Sequence, residues 1–96
     1  MAFGLPLALV PGVPNEPKHF VYVLESARNR DHHYTGLTSD VPARLAAHNN
    51  ARSLHTAKRG PWKLLVAMEF TDEDCAARFE RYLKTGSGRA FARRHF

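Results

Sequence analysis

The run His19–Glu25, HFVYVLE, constrains the fold more than any other stretch. It is apolar at consecutive positions except near its ends, so a strand built from it carries apolar side chains on both faces. Such a strand needs cover on both sides and belongs in the middle of a sheet. Its Val, Phe and Tyr content suits a pleated backbone. Ala27–His32 is polar and turn-like, and His33–Thr38 reads as a second strand. A hairpin centred near residue 28 sets Tyr22 opposite Tyr34. Two phenols then project side by side from one face, about 4.5–5.5 Å apart at Cβ.

The rest of the chain supplies the cover. Ser39 or Asp40 can cap a helix whose first turn holds Pro42 and which runs to about Asn50. Arg44 and His48 are four apart and share one face of it. Ala51–Gly60 is a polar, basic loop, and Pro61–Phe70 is a third strand, apolar at nearly every position. Thr71 can cap a second helix, with Asp74 placed for a capping box. Ala76, Phe79 and Leu83 give that helix its apolar stripe, and Glu80 lies beside the stripe. Gly86-Ser87-Gly88 breaks the helix, and Arg89–His95 forms a short terminal one. The expected order is β-β-α-β-α-α. It describes a small α/β (α+β) fold, a three-stranded, mostly antiparallel sheet flanked by helices.

Residues 1–17 read differently. They hold four of the six prolines, which is hostile to regular structure, and form an extension ahead of a domain over residues 18–96. The apolar run Leu5–Val10 lacks a basic flank and a cleavage site, so a signal peptide is not expected. No apolar run approaches the roughly 20 residues that span a bilayer. One cysteine, Cys75, excludes an internal disulfide and a thiolate zinc cage and fits a reducing cytoplasm. Lys and Arg outnumber Asp and Glu by 14 to 9, for a net charge of +5, which points to a polyanionic partner.

Phe20-Val21-Tyr22, Tyr34-Thr35-Gly36, Arg44 ten residues after Tyr34, His48 one turn further and Glu80 in ARFERYLK together resemble a GIY-YIG nuclease domain. The resemblance covers about residues 18–96. It rests on the joint spacing Y-x-G-x-T-x5-R-x3-H followed, after a strand, by a helical F-E. Phe20 replaces the first glycine of the signature, and no asparagine follows Asn50. The resemblance implies a GIY-YIG endonuclease-like fold and a metal-dependent DNA endonuclease acting in repair, recombination or a mobile element. Its catalytic set is Tyr22, Tyr34, Arg44, His48 and Glu80. Glu80 would bind Mg²⁺ (or Mn²⁺), and Tyr22 would be the base or a relay to it, with Tyr34 orienting water or phosphate.

Elementary chemistry fits those roles. Phosphodiester hydrolysis needs an activated water, a neutralised phosphate and a stabilised leaving oxygen. Mg²⁺ keeps several waters, so one carboxylate can hold it. Arg44 can clamp a non-bridging oxygen with its planar fork. A free phenol has a pKa near 10, so a tyrosine base needs a nearby cation to lower it, and Arg44 or the metal can do so. His48 can assist proton transfer or hold a phosphate. Each residue also has a plainer use: tyrosine pairs pack, Arg44 and His48 can form a solvated face, and Glu80 can pair with Lys84 along the helix. The DNA footprint is expected at Arg52, Lys58 and Arg59 of the basic loop and at Lys84, Arg89 and Arg93, through salt-sensitive phosphate contacts. An alternative is a catalytically weak nucleic-acid-binding module, or an adaptor docking on a larger repair protein through Leu5–Val10 and the tail.

Overall fold

The computed structural model describes residues 18–50, 56 and 58–96. The Pro-rich extension, its Leu5–Val10 run and Arg52 lie outside the described residues. The described elements are β1 (His19–Ser26), β2 (His33–Thr38), α1 (Val41–Asn49), β3 (Trp62–Phe70), α2 (Glu73–Leu83) and α3 (Gly86–His95). This is the expected order. The sheet is antiparallel with spatial order β2-β1-β3, so the doubly apolar strand is central.

Alternate residues of β1 feed two separate cores. Val21 and Val23 point to one face and pack with Ala76 and Leu83, ringed by Val66, Met68, Phe70, Phe79, Phe91 and Phe96. Tyr22 and Leu24 point to the other and pack with Val41 and Trp62, ringed by Phe20, Tyr34 and Leu45. Thus α2 and α3 cover one face, and α1 covers the other. The period-2 alternation of a strand keeps the two cores apart.

Three local expectations need correction. Tyr22 pairs with Gly36, and Tyr34 pairs with Leu24, so the hairpin turns one residue later than its pattern suggested. The turn is closed by Ser26, whose N–H donates to His32 O at 2.9 Å and whose Oγ accepts from the N–H groups of Arg28 and Asn29. A Cβ on Gly36 would stand 2.6 Å from the Tyr22 hydroxyl oxygen, so only glycine fits under the ring. Next, Asp72 rather than Thr71 caps α2, accepting from the N–H groups of Asp74 and Cys75. Last, Gly86-Ser87-Gly88 opens α3 instead of preceding it, because Thr85 caps the helix by accepting from Gly88 N–H at 3.1 Å. Gly88 is required there, since a Cβ would come within 1.8 Å of the Tyr82 carbonyl oxygen. The Asp40 cap of α1 is as expected: its carboxylate accepts from Ala43 N–H at 3.1 Å.

Candidate active site

The α1 face of the sheet holds a line of buried polar groups. Tyr22 reaches it from central β1, and its ring lies across Gly36 of edge strand β2. The Tyr22 hydroxyl is 3.0 Å from His48 Nε2, and His48 Nδ1 is 2.7 Å from Thr56 Oγ1. Tyr22, His48 and Thr56 are each 1% exposed. Tyr34 completes the cluster, with ring centroids 6.1 Å from Tyr22 and 4.6 Å from His48. Although Tyr22 and Tyr34 are diagonal rather than paired across the hairpin, an even separation along the register keeps both on one face.

Arg44 stands one turn before His48 on α1 and beside both phenols. Its Nε is buried and has no hydrogen-bond partner among the described residues. A buried donor on a charged group is costly to leave unpaired, so this atom marks a place for an acceptor. The phenols, Tyr22 foremost, hold the Arg44 proton more firmly than usual. Burial first, and then the Arg44 charge, lowers the His48 pKa below the ordinary imidazole value, so His48 is neutral at neutral pH. Burial pushes the Tyr22 hydroxyl above the usual phenol range, and Arg44 opposes that push. The expected cation is therefore in place, but burial outweighs it.

Thr56, which contacts His48, is held by groups that carry no sequence signature. Trp62 Nε1–H donates to Thr56 O at 2.8 Å. Asn49 grips the Trp62 backbone from both sides, accepting from its N–H at 2.6 Å and donating to its C=O at 2.9 Å. Thr56 was not among the expected site residues. It lies in a polar loop without periodicity, where one threonine looks like any other.

Glu80 occupies a different place. Its helix, α2, packs on the face of the sheet opposite the phenols, and its carboxylate pairs with Lys84. The side chain is only 12% exposed, against 55% for Lys84. Helix α2 also contacts β2, the edge strand across which Tyr22 lies. So four of the five expected residues meet directly, and Glu80 does not join them: its helix lies on the opposite face of the sheet. Among the described residues no group of three His, Cys, Asp or Glu side chains is placed to hold a metal. A lone, largely buried carboxylate with one exposed partner fits a cation that retains most of its own waters.

The expected phosphate contacts divide similarly. Arg59, Lys84, Arg89 and Arg93 line a groove of about 860 Å³ on the α2–α3 side, together with Arg30. Tyr34 and Thr35 of β2 line its rim as well, so the groove reaches the same edge strand. Lys58 is exposed, and its carbonyl accepts from the Arg28 guanidinium at 2.7 Å. Glu25 also lines the groove but is committed to Lys63 at 3.1 Å and His33 at 3.2 Å. His33, then Lys63, hold its carboxyl below the ordinary range.

Comparison with known proteins points to one family. The GIY-YIG catalytic domain matches residues 18–93. The UPF0213 protein BH0048 of Halalkalibacterium halodurans is 35% identical over 69% of this chain and 69% of its own length. The UPF0213 protein SH2523 of Staphylococcus haemolyticus is 37% identical over 73% of this chain and 84% of its own. A solution NMR structure of the UPF0213 protein BH0048 from Bacillus halodurans is similar at 34% identity, with a TM-score of 0.44 over 70% of each chain.

Proposed function

The chain belongs to the GIY-YIG catalytic-domain family, a family of nucleases, and from that premise we propose that it is a metal-dependent DNA endonuclease. Its substrates are branched or nicked DNA, or duplex DNA of low sequence specificity, in a repair, recombination or mobile-element setting. One observation carries the reading: the buried Arg44 Nε, without a partner among the described residues, beside two phenols backed by a neutral histidine.

Arg44 binds a non-bridging phosphate oxygen, using the donor the protein leaves open. Tyr22 takes the proton of the attacking water, and the Arg44 charge favours its phenolate. Tyr34, at the rim of the site, orients the water or the phosphate. Glu80 holds the divalent ion, Mg²⁺ or Mn²⁺, on giving up Lys84. When bound, that ion supplies Lewis acidity to the phosphate and the leaving oxygen. Arg59, Arg89 and Arg93, with Arg52 and Lys58 of the basic loop, carry the flanking backbone. The test is incubation of the purified protein with nicked, branched and duplex DNA in Mg²⁺ or Mn²⁺. Cleavage well above a Glu80→Ala control is expected, and cleavage equal to that control would count against the proposal.

A second reading, a nucleic-acid-binding module with little turnover, is favoured by the burial that raises Tyr22 and by the carboxylate already paired with Lys84. It predicts salt-dependent DNA binding without metal-stimulated cleavage.

A further inference from the structure

The side of the sheet that carries Glu80 also carries the basic groove, and Lys84 belongs to both. Its ammonium pairs with the Glu80 carboxylate one helical turn earlier, and its side chain lines the groove with Arg30, Arg59, Arg89 and Arg93. These five cations face two carboxylates, Glu25 and Asp31, and Glu25 is already held by Lys63 and His33. A pair of fully exposed ions is screened nearly to nothing. Glu80 is different, because its side chain is 12% exposed, and a carboxylate so far out of water needs a counter-charge. Lys84 supplies one. Its flexible stem, 55% exposed, is free to swing, but away from Glu80 the ammonium would lie among like charges. A divalent ion and an ammonium on one carboxylate repel each other, so the two compete for Glu80.

We propose that Lys84 is a displaceable counter-ion on Glu80: a DNA backbone in the groove draws the ammonium onto phosphate and frees the carboxylate for a divalent cation. Without DNA the ion pair suppresses cation binding, and the groove's other cations keep Lys84 in place. Cation binding and DNA binding then favour each other by the same factor, as coupled sites must. Lys84 thereby ties Glu80, on one face of the sheet, to a groove whose rim includes Tyr34. What the loaded site does next rests on the nuclease reading, but the competition for the carboxylate does not.

The test is a Mn²⁺ titration of the full chain without DNA, read by paramagnetic broadening of the α2 amide signals in ¹H–¹⁵N spectra. Lys84→Met is expected to bind Mn²⁺ at least about fivefold more tightly than wild type, the low end of typical couplings. Lys84→Arg keeps the charge and should stay close to wild type, and Glu80→Gln should lose the broadening. A second measurement is the affinity for a fluorescein-labelled nicked duplex in Tyr22→Phe protein, with and without Glu80→Gln. Mn²⁺ should strengthen binding by a similar factor where Glu80 is present, relative to the Glu80→Gln protein. Equal Mn²⁺ affinity in wild type and Lys84→Met, no broadening in either, or the same Mn²⁺ response of DNA binding in Glu80→Gln would overturn the inference. Should Lys84→Met fail to fold, the DNA measurement alone decides. Coupling without cleavage would leave this inference standing and count against the nuclease reading, and cleavage without coupling would do the opposite.

Discussion

The two faces of the β1 strand are built on opposite principles. Val21 and Val23 enter a core of aliphatic and aromatic groups under α2 and α3. There only volume and apolar contact matter, and like-sized residues can exchange at small cost. Tyr22, one position away, enters a core where a hydroxyl, an imidazole, a threonine and a guanidinium must satisfy one another. On that side a change of one atom leaves a partner stranded. One face stores stability, and the other holds a polar network with one buried donor, Arg44 Nε, unpartnered among the described residues.

The largest effects should fall on the polar face and on turnover. Arg44→Ala removes the open donor and is expected to cut DNA cleavage by about 10²–10³-fold, comparable to losing one oxyanion donor. Thermal unfolding should move less than for a core truncation, because the lost Nε has no partner among the described residues. Leu83→Ala, on the apolar face, should do the reverse. It costs about 2–5 kcal/mol in urea unfolding, while the folded fraction cleaves normally. If either variant behaved like the other, the division between the faces would not hold.

Gly36→Ala sharpens the same division. The added methyl meets the Tyr22 hydroxyl, which His48 holds from the other side, so the ring cannot swing away. Overpacking costs of about 1–3 kcal/mol are expected, with a larger loss in kcat. Val23→Ile on the apolar face makes a useful size-matched comparison.

The response to pH should separate the faces too. The folded His48 pKa lies below its unfolded value of about 6.5. The unfolded chain therefore binds the proton first as pH falls. Stability contributed by neutral His48 is complete above about pH 6.5 and is lost as pH drops toward the lower folded value. The imidazole faces Arg44 from its own helix and Tyr22 and Tyr34 from the sheet. Wild type minus His48→Gln, measured by denaturant unfolding from pH 7.5 to 5, should show this slope. A flat difference would contradict it.

The smallest effects come from the caps. Asp40→Ala and Asp72→Ala each remove a side-chain cap and should cost about 1 kcal/mol. Both should also reduce cleavage modestly, because α1 carries Arg44 and His48 and α2 carries Glu80.

Much of this was legible in the amino acids. The doubly apolar run of β1 placed it centrally, and the four-residue spacing of Arg44 and His48 put them on one face. Strand register was harder to read. It depends on how Ser26 closes the turn and on the absence of a side chain at Gly36, and neither leaves a hydrophobic pattern. The Gly86-Ser87-Gly88 segment looked like a break because glycine is a poor helix former, but Thr85 caps it and the close approach of α2 demands a small residue. Thr56 was invisible because its role comes from burial, which a polar loop does not advertise. The spacing of Glu80 also gave no sign that its helix would cover the opposite face of the sheet.

The account stands on Tyr22 as the group that activates water at the β2 edge. Single-turnover cleavage of nicked and branched DNA by Tyr22→Phe, in Mg²⁺ and with folding checked by circular dichroism, tests it most directly. A folded protein that binds the DNA and does not cut it is the predicted result. Cleavage at the wild-type rate would contradict it.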